Sequence, residues 1–214
     1  MIKKYFIVAL FFLFIPIANS QTFHWGIKGG VLSSYHSVSN SSENKVSRNR
    51  IGWLAGVYTN IKLGENFRIE PELYYVSKGA EMERTTIGSE VSYSNTELDY
   101  ISIPINSQIG LSYDNFFVYV LIGPRIDISV AENENGLNGI YKNRNNLNFG
   151  GNIGFGFWYS KSNKKQFGVE LRYSPDLSTF PEEGYSVNGI HTSYVNGTKF
   201  RNESLELHLN LGLK

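Results

Sequence analysis

Cysteine is absent from the 214 residues, which excludes disulfide frameworks, thiolate metal sites and cysteine nucleophiles and leaves the redox character of the compartment open. Charge is scarce as well: 18% of the residues carry one, and 20 basic against 19 acidic side chains leave a net +1. Nothing in that balance would draw a nucleic acid, and none is expected as a partner. Past residue 20 no apolar run approaches the roughly 18 residues of a membrane-spanning helix. What is plentiful is glycine, at 21, with 14 tyrosines and 14 phenylalanines, a turn-rich and aromatic balance that suits β structure.

The first twenty residues stand apart. Lys3 and Lys4 precede an apolar stretch from Tyr5 to Ile17, and Ala18-Asn19-Ser20 places small residues where a signal peptidase reads. At about 13 residues the stretch is too short for an anchor, which needs about 20. The reading is a Sec signal peptide over residues 1–20, cleaved before Gln21, and one domain over 21–214. Removing Lys3 and Lys4 turns the net charge from +1 to −1.

Downstream, hydrophobicity repeats every second residue, the period of a strand. Trp25, Ile27, Gly29 and Val31 share one face; so do Ile51, Trp53, Ala55, Val57, Thr59 and Ile61, and then Phe67, Ile69, Pro71, Leu73 and Tyr75. Five further segments follow the rule: Ile101 to Leu111, Phe116 to Val130, Leu147 to Tyr159, Phe167 to Tyr173 and Leu205 to Leu213. None of these apolar-face positions is charged. Every strand charge falls on the opposite face, which holds Lys28, Arg68, Glu70, Glu72, Arg125, Asp127, Glu170, Arg172 and Glu206, with His208 beside them.

Alternation alone fits a soluble sandwich with an apolar core as well as a membrane barrel with an apolar exterior. Three observations choose the barrel. The segments mostly run about 9 to 15 residues, near or above the 9 to 11 of a tilted membrane crossing and longer than ordinary globular strands. Connections alternate in length: Ser33–Arg50, Gly79–Glu97, Ala131–Asn146 and Ser174–Ser204 are long, whereas Lys62–Asn66, Ser112–Asn115 and Ser160–Gln166 are short. That is the asymmetry of an outer-membrane barrel, with long loops outside and tight turns in the periplasm, and it puts both termini in the periplasm. Aromatic residues gather at the two ends of the apolar face: Trp25, Phe67, Phe116, Tyr159 and Phe167 at one, Trp53, Tyr75, Phe149 and Tyr173 at the other. Between them lie aliphatic residues such as Ile27, Val57, Val120 and Leu209, the belt-and-band order a bilayer selects.

The expected fold is therefore all-β: an eight-stranded antiparallel up-and-down transmembrane barrel with four long extracellular loops and three short periplasmic turns. Such a barrel has room inside for side chains or one small ligand, not for free diffusion. The ten polar-face residues named above, four firm cations against five carboxylates with His208, are expected to form a mutually paired structural network, because buried charges need partners.

Catalysis finds little support. Acyl transfer needs a nucleophile beside a histidine and a carboxylate; no Gly-x-Ser-x-Gly elbow occurs, His36 and His191 fall in loops, His24 lies at the periplasmic edge, and only His208 points inward from a strand. No catalytic residue, metal ligand or cofactor is expected. Glu132–Gly136 has oxygen donors without the spaced acids of a calcium loop, and Gly29-Gly30 and Gly150-Gly151 sit inside strands with no helix to form a phosphate cradle. Lys45, Arg48 and Arg50 could meet lipopolysaccharide phosphates, and Tyr185, Tyr194 and Phe200 could fold the longest loop into a lid or hairpin.

Several stretches also resemble a family: Gly26-Ile27-Lys28-Gly29-Gly30, Gly52 to Ile61, Ile69-Glu70-Pro71-Glu72-Leu73-Tyr74-Tyr75, Tyr100-Ile101-Ser102-Ile103-Pro104, Gly123-Pro124 and Leu171-Arg172-Tyr173. In order and spacing they are similar to the outer-membrane β-barrel domain of Bacteroidetes, the porin-family or PorT-like proteins, which share the plan of the OmpX and OmpA barrels. The resemblance implies a monomer in the bacterial outer membrane, in contact with outer-membrane lipid and lipopolysaccharide and delivered by the barrel-assembly machinery. It implies a structural or surface-binding role, with a narrow channel or a PorT-like component of a secretion apparatus as the alternative.

Overall fold

The computed structural model describes residues 23–39, 46–84, 92–135, 146–162, 165–178, 180–181, 186–187, 190–191 and 199–213. Eight long strands form the wall: β1 Phe23–Ser39, β2 Val46–Lys62, β3 Phe67–Arg84, β4 Ser92–Tyr113, β5 Phe116–Asn135, β6 Leu147–Ser162, β7 Lys165–Pro175 and β8 Lys199–Leu213. Each pairs antiparallel with the next, and β1 pairs with β8 from Trp25↔Leu213 to Ser39↔Lys199, so the sheet closes with no free edge. Closure matters because unpaired backbone N–H and C=O groups in hydrocarbon are costly. Asp114, in the tight turn between β4 and β5, takes a left-handed φ of 49°, which aspartate tolerates better than most residues. The ladder skips between Pro71↔Ile105 and Tyr74↔Ser102, and between Pro104↔Arg125 and Ser107↔Ile122; proline brings no N–H to these rungs.

Burial is inverted relative to a soluble domain. Trp25, Ile27, Val31, Val57, Val120, Phe155 and Leu209 are each at least half exposed, while Glu70, Glu170, Arg172, Glu206 and His208 have no exposed surface at all. Buried polar side chains outnumber buried apolar ones by about two to one, the reverse of a water-soluble core. The apolar face assigned from alternation is the outer surface. Ile61 is one departure, only 6% exposed, with Phe23 and Ile69 directly opposite it on the flanking strands.

Strands extend further than alternation indicates. Much of the expected loop Ser33–Arg50 is strand, to Ser39 on one side and from Val46 on the other; likewise β3 runs on to Arg84, β4 begins at Ser92, and β5 continues to Asn135. In the connection between β7 and β8, Phe180–Pro181 pairs with Lys199–Phe200, and Ser186–Val187 pairs with Ile190–His191. Beyond the bilayer both faces of a strand meet water, so the period-two signal fades while backbone pairing persists. Residues 1–20, Lys45, Gly136, Tyr185 and Tyr194 lie outside the described residues.

Candidate functional site

The barrel interior is the site that alternation pointed to, and it is built in layers. In the middle, β1 supplies Lys28, β3 supplies Glu70 and Glu72, and β7 supplies Glu170 and Arg172; residues two apart on a strand share a face, so each pair points inward together. Lys28 Nζ lies 3.0 Å from Glu70, 2.8 Å from Glu72 and 3.6 Å from Glu170. Three carboxylate oxygens, one from each glutamate, lie within 4.8 Å of one another, an arrangement able to hold a metal ion, but the Lys28 ammonium already sits against all three carboxylates. Arg172 donates both Nη groups to Glu72, at 2.9 and 2.6 Å, and its Nε to Glu170 at 2.7 Å. With β3 and β7 four strands apart in a closed ring of eight, the Arg172 to Glu72 fork spans the lumen.

Neutral side chains complete this layer. Asn60 donates to Glu70 at 2.8 Å, Asn106 to Glu72 at 2.9 Å, and Tyr119 and Asn210 to Glu170 at 2.7 and 2.8 Å. Such saturation is what buried charge requires. On β8, His208 Nε2 contacts Glu206 at 2.9 Å, and Ser204 donates to the same carboxylate at 2.8 Å. Serine, glutamate and histidine thus stand side by side in the wrong order for nucleophilic catalysis, because the carboxylate separates the hydroxyl from the base that would take its proton.

Toward the long connections lies a second ionic layer. Arg125 pairs with Asp127 at 3.0 Å and with Asp176, while Lys78 meets Asp127 at 3.1 Å and Ser102 donates to it at 2.6 Å. A hydrogen-bond chain joins the layers: Arg125 donates to Asn152 (3.3 Å), Asn152 to Asn106 (3.1 Å), and Asn106 to Glu72. Lys78 and Asp176 were missing from the expected network, yet each follows from parity: the even-numbered inward face of β3 continues past Tyr74 and Val76, and that of β7 past Ser174. Pairing itself had no sequence signal.

Apolar clusters fill the rest. Leu32, Leu54, Tyr74, Val76, Leu98 and Tyr100 pack together, and Tyr58, Phe117, Tyr119, Leu121 and Trp158 form a second cluster toward the short turns. Large rings fit there because glycine faces them: a Cβ on Gly168 would stand 2.6 Å from the Trp158 ring. The Tyr58 and Trp158 rings lie 5.5 Å apart, within the range of favourable aromatic contact.

Arg68 departs from the expected network. Its guanidinium lies 3.7 Å over the Phe117 ring, and no carboxylate among the described residues comes within ion-pair distance of it. The charge sits at the second residue of β3, two residues short of Glu70, at the level of the aromatic rings rather than of the glutamates.

On the outer face, at the long-connection rim, Tyr35 donates to Glu203 at 2.7 Å and Tyr173 donates to the same oxygen. Partial burial pushes the Glu203 carboxyl upward, but hydrogen bonds from Tyr173, Tyr35 and Ser37 and the charge of Arg201 outweigh that and hold it below its usual range.

Comparison with known proteins agrees with this architecture. The crystal structure of the outer membrane protein OprG from Pseudomonas aeruginosa superposes with a TM-score of 0.59 at 11% identity, covering 92% of this chain and 98% of that one. Neisserial surface protein A gives 0.46 at 11% identity over 90% and 98%. Ail, the attachment invasion locus protein of Yersinia pestis in complex with the heparin analogue sucrose octasulfate, gives 0.39 at 9% over 88% and 98%. At these identities the OprG likeness speaks for the fold alone. No curated protein matches the sequence. The model of the outer membrane protein beta-barrel domain matches residues 18–180, well over half of a chain whose wall is a closed ring of eight strands with an apolar exterior, and the protein belongs to that family.

Proposed function

We propose that the protein is a non-conducting, non-enzymatic barrel of the outer membrane whose role is structural or surface-binding, exercised through its long connections. One observation carries the reading: Arg172 bridges the lumen to Glu72 with both groups fully buried, and side-chain clusters fill the interior on either side. Loops held by a rigid scaffold are where binding residues concentrate. Absence of enzymatic activity is supported by the order of Ser204, Glu206 and His208, none of which a substrate could reach.

In this reading residues 1–20 direct export and are removed, both termini and the three short turns face the periplasm, and the barrel works as a monomer among outer-membrane lipid and lipopolysaccharide. Kinship with the PorT-like barrels rests on the sequence stretches alone. Planar-bilayer recording tests the proposal. The expected result is silence from the purified full chain; steady openings whose conductance shifts on Arg125→Gln or Glu72→Gln would replace it with a narrow channel.

A further inference from the structure

We propose that the short-turn mouth of the barrel is a binding site for a small oxyanion, a phosphate or a carboxylate, held by Arg68 together with Lys62 and Gln108. Arg68 is 9% exposed, and it differs from the other buried cations of the lumen. Lys28, Lys78, Arg125 and Arg172 each have at least one carboxylate within 4.0 Å; Arg68 has none among the described residues. Stacking on Phe117 at 3.7 Å fixes the plane of the guanidinium and leaves its N–H edge, a fork matched to two oxygens of one anion, without an acceptor among the described residues.

The surroundings of Arg68 are electropositive as well. Lys62 lies directly across the β2–β3 ladder from Arg68, and like charges directly opposite one another destabilise a sheet. Glu65, in the turn that joins these two strands, is exposed and pairs with neither. Gln108 lies directly across the β3–β4 ladder. Among the described residues three buried donors near Arg68 lack an acceptor, Arg68 Nε, Gln108 Nε2 and Trp158 Nε1, against one buried acceptor without a donor, Oδ1 of the Asn60 that donates to Gln108. An excess of donors around an unpaired cation calls for a ligand that only accepts and carries negative charge, which water does not supply.

The same geometry limits the ligand. Tyr58, Tyr119 and Trp158 close the lumen beyond the site, so an anion enters from the short-turn side, stops against the aromatic floor and does not pass through. Binding here does not depend on the barrel being silent in conductance, so the two proposals fail separately.

Trp158 belongs to the layer, and the chain has only three tryptophans. In a Trp25→Phe, Trp53→Phe background its fluorescence reports on the mouth of the detergent-solubilised full chain. Titration with inorganic phosphate in one arm and acetate in the other, at constant ionic strength, is expected to give a saturable change, and the arm with the lower midpoint identifies the oxyanion class. Arg68→Gln is expected to raise that midpoint by about tenfold or more, with Arg68→Lys in between because the charge remains but the fork is lost. Should Arg68→Gln fail to show the folded, heat-modifiable gel mobility, Lys62→Gln decides at a half-buried position, with an expected rise of about threefold. An unsaturable response to both anions, or midpoints unchanged in the folded variants, overturns the proposal.

Discussion

Two regions of one lumen are closed by different physics. Across the middle, Lys28 and Arg172 are locked among Glu70, Glu72 and Glu170; toward the short turns, Tyr58, Phe117, Tyr119 and Trp158 fill the same cross-section with rings set against glycines. An ionic layer is intolerant of losing one member, because the partners left behind stay buried and charged. A packed layer yields in proportion to the volume removed and to how far its neighbours can relax. The barrel therefore has a brittle waist and a more forgiving plug.

The sharpest way to break that contrast is Arg172→Met, which leaves Glu72 and Glu170 without their fork and is expected to destabilise the barrel by about 3 to 5 kcal/mol, read from urea unfolding in lipid vesicles. Adding Glu72→Gln should recover part of the loss. If the single variant unfolds no more easily than wild type, the waist is not held by charge. In the plug, Trp158→Leu is expected to cost about 2 kcal/mol in the same assay, and Gly168→Ala about 1 to 3 kcal/mol through collision with the ring. Tyr119 belongs to both regions, since its ring packs in the plug while its hydroxyl donates to Glu170. Tyr119→Phe keeps the packing and is expected to cost about 1 to 2 kcal/mol, so a larger loss would mean that the charged layer extends into the plug.

Smallest is the effect outside the lumen. The Glu203 carboxyl is held below its ordinary 4.5 in the folded protein, so its contribution is present above that value and fades as pH falls through the lowered one. The stability difference between wild type and Glu203→Gln, followed by near-ultraviolet circular dichroism, should narrow on acidification below about pH 4 and stay flat above pH 6. A difference that grew on acidification would contradict the hydroxyl contacts.

Most of the architecture was legible in the residues because the bilayer imposes a two-valued solvent on every strand. Ile27 beside Lys28, or Leu171 beside Arg172, has one reading once the apolar neighbour is sent to lipid. Lys78 and Asp176 were missed for a complementary reason: they lie near the rim, where the outward neighbours Ser77, Gly79 and Pro175 no longer advertise hydrocarbon, although parity still sends them inward. Arg68 was misjudged because parity fixes direction and not depth, and two residues along a strand move a side chain by about 6.6 Å. That separation puts it beside a ring instead of a carboxylate. Which cation meets which anion across the lumen depends on strand stagger, a property of the closed ring that no single strand encodes.

Strand length has a consequence of its own. β4 and β5 run 22 and 20 residues, against 16 and 11 for β6 and β7. At about 3.3 Å per residue, roughly half of β4 extends beyond the about 9 to 11 residues of a tilted crossing, so among the described residues the β4–β5 hairpin stands taller than β6 and β7. In the proposed orientation, with the long connections outward, that tall hairpin stands toward the medium, and it is where substitutions that escape an antibody or a phage fibre should gather.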